Sequence, residues 1–444
     1  MAKGSEAVGV VSALGANGEG IVVEANGFQV HLAGVLPGEE VRYRVTQRSQ
    51  HSAQGWGEVR AVSQRSPAFV KPPCHHAAPL RGQCGGCPLM HLDATAQAAW
   101  KAEQVGQALQ AQGLAPELSQ AHGAPQGLAY RNRCNYVVCR RPQGGVRLGS
   151  FAPRSHQVAD MDGCLVLLPH LAEVARKLRS LLVELAVPVA PEGEGLRYVT
   201  VVGNPAGESL IELISSSAAP SWLPALSDLL RSISGVVGAS HGVNASPGNS
   251  IRAEGPVALL WGREHIDLPL GRLVAPIRPS AFFQLNHAVA GAIYARIAAL
   301  LQPMGCLWDL YCGVGSIGLN VAPQGHLFGA EAAPEAVALA QAAAARLGQP
   351  ATFVACDLRQ GLPQGWPTPD AIVVNPPRRG VDPALLAELA AAKAAPIVYM
   401  SCNPSTFARD ARVLVDAGYR LSAVEIFDML PQTGHVEVLG RLEV

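Results

Sequence analysis

Leu307-Trp308-Asp309-Leu310-Tyr311-Cys312-Gly313-Val314-Gly315-Ser316-Ile317-Gly318 runs from a short apolar strand through a glycine turn into an apolar helix start. Its glycines fit G-x-G-x-x-G. Small residues at those positions let the backbone approach a bound ligand, and the following N–H groups face it. From about Arg278 onward, apolar runs of four or five residues alternate with Ala-rich stretches such as Ala332 to Leu347. That rhythm predicts a Rossmann-like parallel sheet covered by helices over 276–444.

Toward the C-terminus, each expected strand ends on a residue suited to a ligand. Glu331 closes Leu327-Phe328-Gly329-Ala330, eighteen positions after Gly313, where a carboxylate can accept both hydroxyls of a ribose. Asp357 closes Phe353-Val354-Ala355-Cys356 and suits an exocyclic adenine amine. Ala371-Ile372-Val373-Val374 leads into Asn375-Pro376-Pro377-Arg378. The glycine turn and Glu331 alone would also fit a nicotinamide dehydrogenase, but the Asn-Pro-Pro element resembles a class I S-adenosylmethionine (SAM) methyltransferase domain. A fifth strand, Pro396 to Met400, delivers Cys402 to the same edge, where a thiolate could attack a substrate beside the cofactor. Asp428, His435 and Glu437 are candidate proton acceptors.

Toward the N-terminus, residues 1–66 carry short alternating runs between Gly and Asn turns and predict an OB-like β-barrel. Gly18-Glu19-Gly20 and Gly34-Val35-Leu36-Pro37-Gly38-Glu39-Glu40-Val41 resemble the TRAM domain. Residues 67–275 read as a central, mostly β domain, with a helix over 94–113 expected to pack on the catalytic domain. In this stretch Cys84-Gly85-Gly86-Cys87 is a tight pair, Cys74 precedes it and Cys164 follows. Four thiolates close one tetrahedral set, which suits either zinc or a four-iron cluster, and His75 and His76 add possible zinc ligands.

With 444 residues, 49% hydrophobic and 15% charged, the chain is a multidomain globular protein. Lys plus Arg and Asp plus Glu are 34 each, so attraction to a polyanion must be local. Arg131, Arg133, Arg140, Arg141, Arg147 and Arg154 supply such a stretch, with no acid between Glu117 and Asp160 and with Tyr130, Tyr136 and Phe151 interleaved. No apolar run is long enough to span a bilayer, and Met1 to Val10 lacks a signal-peptide core, so a cytoplasmic protein is expected. Ten cysteines are too few and too unevenly spaced for a disulfide scaffold.

Cys402, Glu437, the glycine turn and the cysteine set together resemble the RNA uracil-5 (m5U) methyltransferase family, in particular its iron-sulfur branch acting on 23S ribosomal RNA. Arg278-Pro279-Ser280-Ala281-Phe282-Phe283-Gln284-Leu285-Asn286 is similar to the family's Gln-bearing segment. The resemblance implies Cys402 as nucleophile and Glu437 as base, with SAM contacts at Gln284, Tyr311, Ser316, Glu331, Asp357 and Asn375. It also implies Cys74, Cys84, Cys87 and Cys164 as ligands of a 4Fe-4S cluster. Two features depart from the family pattern: nine residues separate Cys74 from Cys84 where five are usual, and Asn375 stands where many members carry Asp. The implied product is 5-methyluridine, made by a monomer on a uridine splayed from an RNA loop or bulge. The alternatives are a transfer-RNA substrate, or a non-catalytic iron-sulfur RNA-binding or assembly factor.

Overall fold

The computed structural model describes residues 6–77, 83–191, 193–246, 248, 250–301, 305–322, 325–393 and 395–444; residues 1–5 of the opening stretch lie outside them. Five strands close the N-terminal barrel in the spatial order Glu6–Leu14, Gly20–Val23, Gln29–Leu32, Gln54–Val62, Glu40–Arg48. Alternation along them sends Val30, Leu32, Val41, Tyr43 and Val45 into its core.

The central sheet has seven strands, ordered Ala258–Gly262, Val236–Val243, Ser209–Ser215, Leu196–Gly203, Arg133–Arg140, Val146–Phe151, Val158–Asp160. Helix Pro169–Glu184 repeats Leu171, Val174, Leu178 and Leu182 at three- and four-residue intervals. That stripe shares one core with Val199, Val201 and Leu213 of the sheet.

The sheet of the C-terminal half has eight strands, ordered Ala351–Ala355, His326–Glu331, Cys306–Leu310, Ala371–Val374, Ile397–Ser401, Glu437–Glu443, Arg420–Phe427, Leu118–His122. Its central strands are apolar on both faces. Leu307, Val373 and Val398 enter one core, while Trp308, Ile372, Val374, Ile397 and Tyr399 enter the other. Glu437–Glu443 runs antiparallel to both neighbours. Its first residue therefore lies at the edge where the parallel strands end.

Two pieces of chain from the 67–275 stretch and its end join this half. The helix expected over 94–113 forms at Ala94–Ala111, where the Asp93 carboxylate accepts the Thr95 and Ala96 N–H groups, and it buries Val105 and Leu109 against the sheet. Leu118–His122 follows as the edge strand. The hairpin Ile266–Leu270 and Leu273–Ile277 packs into the same core as helix His287–Leu300. Among the described residues no helix is long and apolar enough to cross a membrane.

Candidate active site and cysteine-lined cavity

The glycine turn sits at the C-terminal end of Cys306–Leu310 in a strained conformation. Gly313 and Gly315 have φ of 56° and 78°, and Tyr311 adopts 62° despite its side chain. A left-handed non-glycine residue costs about 1–3 kcal/mol, and such strain concentrates where backbone meets ligand. Two carboxylates hold the turn. Asp309, 0% exposed, accepts the Gly318 N–H at 2.9 Å, and burial pushes it up to about 7. Glu331 accepts from Gly313 N–H at 3.2 Å and Ala333 N–H at 3.0 Å.

The remaining residues of the expected SAM set lie along the same edge or beside it. Asn375 follows the Ala371–Val374 strand, its N–H donating to the Leu310 carbonyl at 3.3 Å. Ser316 closes the glycine turn, its carbonyl accepting from Asn320. The Gln284 carbonyl accepts from Asn132 of the central domain at 3.0 Å. Asp357 is already committed: hydrogen bonds from the Arg359 guanidinium and N–H hold its carboxyl down at about 2. An adenine amine there would have to share it with Arg359.

Cys402 and Glu437 are brought together by register. Ser401 pairs with Val438, so the next residues out on each strand, Cys402 and Glu437, oppose one another just beyond the ladder. Asn403 caps helix Pro404–Asp416, so the Cys402 thiol stands at a helix N-terminus, whose field favours a thiolate. Burial nevertheless raises the thiol above its ordinary value, and the Glu437 charge adds to that rise. Glu437 itself is pushed up to about 8 by burial.

Arg378 opposes both shifts and adds to the lowering of His435 that burial begins. Its carbonyl receives Asn403 Nδ2 at 2.9 Å and Thr406 Oγ1 at 3.3 Å, which fastens the Asn-Pro-Pro-Arg turn to the turn bearing Cys402. Phe282, two residues before Gln284, is 78% exposed. Its only sequence signal was its place in the Gln-bearing segment. Asp428 drops out as a proton acceptor, because Lys101 Nζ holds it at 2.5 Å in a buried ion pair.

Cys74, Cys84, Cys87 and Cys164 line one cavity of about 330 Å³, mouth included, together with His76, Met90, Met161 and Val166. Local geometry explains the tight pair. A side chain on Gly85 would stand 2.3 Å from Pro153, and the Gly86 N–H points at Cys84 Sγ at 3.4 Å. Burial and the other three thiols push Cys87 up to about 12, so this thiol resists ionising without a cation to neutralise it. Among the described residues no three His, Cys, Asp or Glu side chains converge as a site for a single metal ion.

The basic stretch is mostly spent on the protein itself. Arg133 donates to the carbonyls of Arg278, Pro279 and Ala281 and stacks on Phe283. Arg141 pairs with Asp160, Arg147 donates to the Val158 carbonyl, and Arg154 lies over Trp56 of the barrel. Tyr130 and Tyr136 are 5% and 1% exposed, so neither is a stacking platform. Strand alternation explains Tyr136, since Cys134, Tyr136 and Val138 face inward along Arg133–Arg140, while Tyr130 packs beside Met90 and Val166.

Residues 368–442 match the family model described as tRNA (Uracil-5-)-methyltransferase. Over 437 residues the chain is 32% identical to an uncharacterised RNA methyltransferase of Halalkalibacterium halodurans, covering 95% of this chain and 94% of that one. An uncharacterised RNA methyltransferase of Enterococcus faecalis is 34% identical over 459 residues, covering 99% and 98%. Among solved structures, the Pyrococcus abyssi tRNA (uracil-54, C5)-methyltransferase in complex with S-adenosyl-L-homocysteine superposes with a TM-score of 0.76 at 24% identity, covering 98% of this chain and all of that one. At that identity the likeness is one of fold.

Proposed function

The chain belongs to the RNA (uracil-5) methyltransferase family, and on that premise we propose that it methylates C5 of a uridine in 23S ribosomal RNA through a covalent bond between Cys402 and C6. The observation that carries this reading is the opposed pair Cys402 and Glu437, with Cys402 two strands and Glu437 three strands along the edge from the glycine turn. Two strand spacings are roughly 10 Å, a span that a methionine-bearing nucleoside can bridge.

Uracil C5 is a poor nucleophile. Attack of the Cys402 thiolate at C6 leaves an enolate whose electron pair, at C5, takes the methyl group of SAM and releases S-adenosylhomocysteine. Glu437 then accepts the C5 proton, the electrons of that C–H bond restore the ring double bond, and the thiolate departs from C6 by elimination. Methylation of an adenine nitrogen needs no covalent activation and would leave both residues idle. Arg378 fits this scheme by favouring the anionic forms of Cys402 and Glu437. The strained turn around Tyr311, with Ser316, Glu331 and Asn375, is proposed to hold the donor, with Gln284 and Asp357 at its margins. Phe282 is proposed to stack against the RNA at the mouth.

We further propose that Cys74, Cys84, Cys87 and Cys164 hold a 4Fe-4S cluster. Four sulfurs lining one cavity suit a group in which each thiolate takes its own iron. Bound there, it would supply a rigid link between the 74–87 segment and the strand-following turn at Cys164. The transfer itself is redox-neutral. The barrel is proposed as a TRAM-like module presenting RNA to the catalytic half.

Mass mapping of 5-methyluridine in ribosomal and transfer RNA from cells with and without the protein tests the assignment. Loss at one 23S position is expected. Loss in transfer RNA instead would move the substrate, and no loss anywhere would defeat the proposed activity.

A further inference from the structure

We propose that Lys101 is a positioning residue for Glu437, acting through Asp428 and the loop that leads from it. This rests on the reading of Glu437 as the base. Phe427 and Glu437 pair across two strands, and residues 428–436 are the connection between them. A loop of that length has many conformations in isolation, so the carboxylate at its end is only as well placed as the loop is held.

Five successive loop residues are gripped from other parts of the chain. Lys101 Nζ donates to Asp428 at 2.5 Å and reaches the Leu430 carbonyl at 3.4 Å. Asn286 Nδ2 donates to the Met429 carbonyl at 3.1 Å, and the Tyr130 hydroxyl donates to the Pro431 carbonyl at 2.9 Å. Gln432 is held on both its backbone groups: its N–H donates to Gln97 Oε1 at 3.0 Å, and its carbonyl accepts the Leu89 N–H at 3.0 Å. Gln97 Nε2 also reaches the Gln432 side chain at 3.0 Å. Gln432 has φ of 69°, a conformation a glutamine keeps only where its surroundings impose it. At Gly434 the barrel closes in, and a side chain there would stand 2.7 Å from the Ala16 carbonyl.

Lys101 is 0% exposed, so it cannot touch RNA in this fold. Adhesion between helix Ala94–Ala111 and the sheet needs no charge there, since Val105 and Leu109 already pack into the core. A buried ion pair holds two groups no better than a well-packed apolar pair, but it fixes their register. What it registers here is the start of the loop that ends on Glu437. Gln97 does the same for the loop's midpoint without burying a charge.

The test follows turnover and the covalent protein–RNA adduct on denaturing gels, using SAM and total RNA from cells lacking the protein, which contains the unmethylated target whatever its class. Cys402 lies on a different strand, so attack and methyl transfer should survive while proton removal slows. Glu437→Gln is the reference that blocks proton removal. Lys101→Met should lower kcat by about 10²-fold and Gln97→Leu by about tenfold, both accumulating adduct, with KM for RNA and SAM within about twofold of the parent. Gln97→Leu leaves no uncompensated charge, so it carries the test if Lys101→Met does not fold. Adduct in Glu437→Gln but none in either positioning variant overturns the proposal alone. Absence of adduct in Glu437→Gln removes the base assignment and the proposal with it.

Discussion

The two halves of the proposed site are built in opposite ways. The proposed donor half is local: Asp309, the glycine turn and Glu331 lie within a short span of chain and fasten one another through the Gly313 and Gly318 N–H groups. The proposed acceptor half is assembled from afar. Cys402 and Glu437 meet because an antiparallel strand is inserted beside the fifth parallel one, and the loop before Glu437 is held by Leu89, Gln97, Lys101, Tyr130 and Asn286. Their electrostatics differ as well. Asp357, paired with Arg359, is held down at about 2, while half-buried Glu437 is pushed up to about 8 by desolvation. A carboxylate that remains charged suits binding; one poised near neutrality suits moving a proton.

Substitutions should therefore separate along this line. Glu437→Gln is expected to have the largest effect, slowing methylation by about 10²- to 10⁴-fold with SAM affinity intact, read by single-turnover assays and calorimetry. It should also change stability. Between pH 4.5 and about 8 the folded protein keeps a proton on Glu437 that the unfolded chain has lost, so this group's contribution falls as pH rises through that window. Removing the titration should stabilise the variant relative to the parent at pH 8 more than at pH 5, by at most about 4 kcal/mol, measurable by denaturant unfolding. Equal offsets at both pH values would place Glu437 in a solvated setting and erase the contrast with Asp357.

Glu331→Ala should show the converse. SAM binding weakens by about 10- to 100-fold in calorimetry, since hydrogen bonds to a charged group are lost, while saturating SAM restores most of kcat. Phe282→Ala should raise KM for RNA by about tenfold and leave SAM binding unchanged, as expected for one lost stacking contact. Arg378→Met should be the mildest, moving the rising limb of the pH–rate profile upward by about one unit, because its charge favours the anions of both Cys402 and Glu437. A downward shift would mean that Arg378 does not face them.

The same division explains what could be read from the sequence. The glycine turn, Glu331 and Asn375 carry their meaning in adjacent residues, and the strand-turn-helix rhythm announced the parallel sheet. Cys402 was legible as the residue after an apolar strand. Asp428, by contrast, looked like a proton acceptor because nothing nearby in sequence betrays Lys101, its partner on a helix formed hundreds of residues earlier. The arginines after Arg131 looked like an RNA-facing stripe because composition shows neither the carbonyls, acid and ring that engage them from elsewhere in the chain nor which side of a strand faces the core. Arg133 faces carbonyls, and Tyr136 is buried. The four cysteines were readable as a set from their spacing, but the cavity depends on how the turn at Cys164 folds back beside Cys87.

The central claim is that a sulfur atom of this chain bonds to the pyrimidine during turnover. A target RNA carrying 5-fluorouridine, incubated with SAM and the protein, presents a C5 substituent that Glu437 cannot remove as a proton. Digestion and mass spectrometry should then find the methylated fluoropyrimidine nucleotide attached to the peptide containing Cys402. An RNA that is bound and methylated at C5 in its natural form, yet leaves that peptide unmodified in its fluorinated form, would contradict the account.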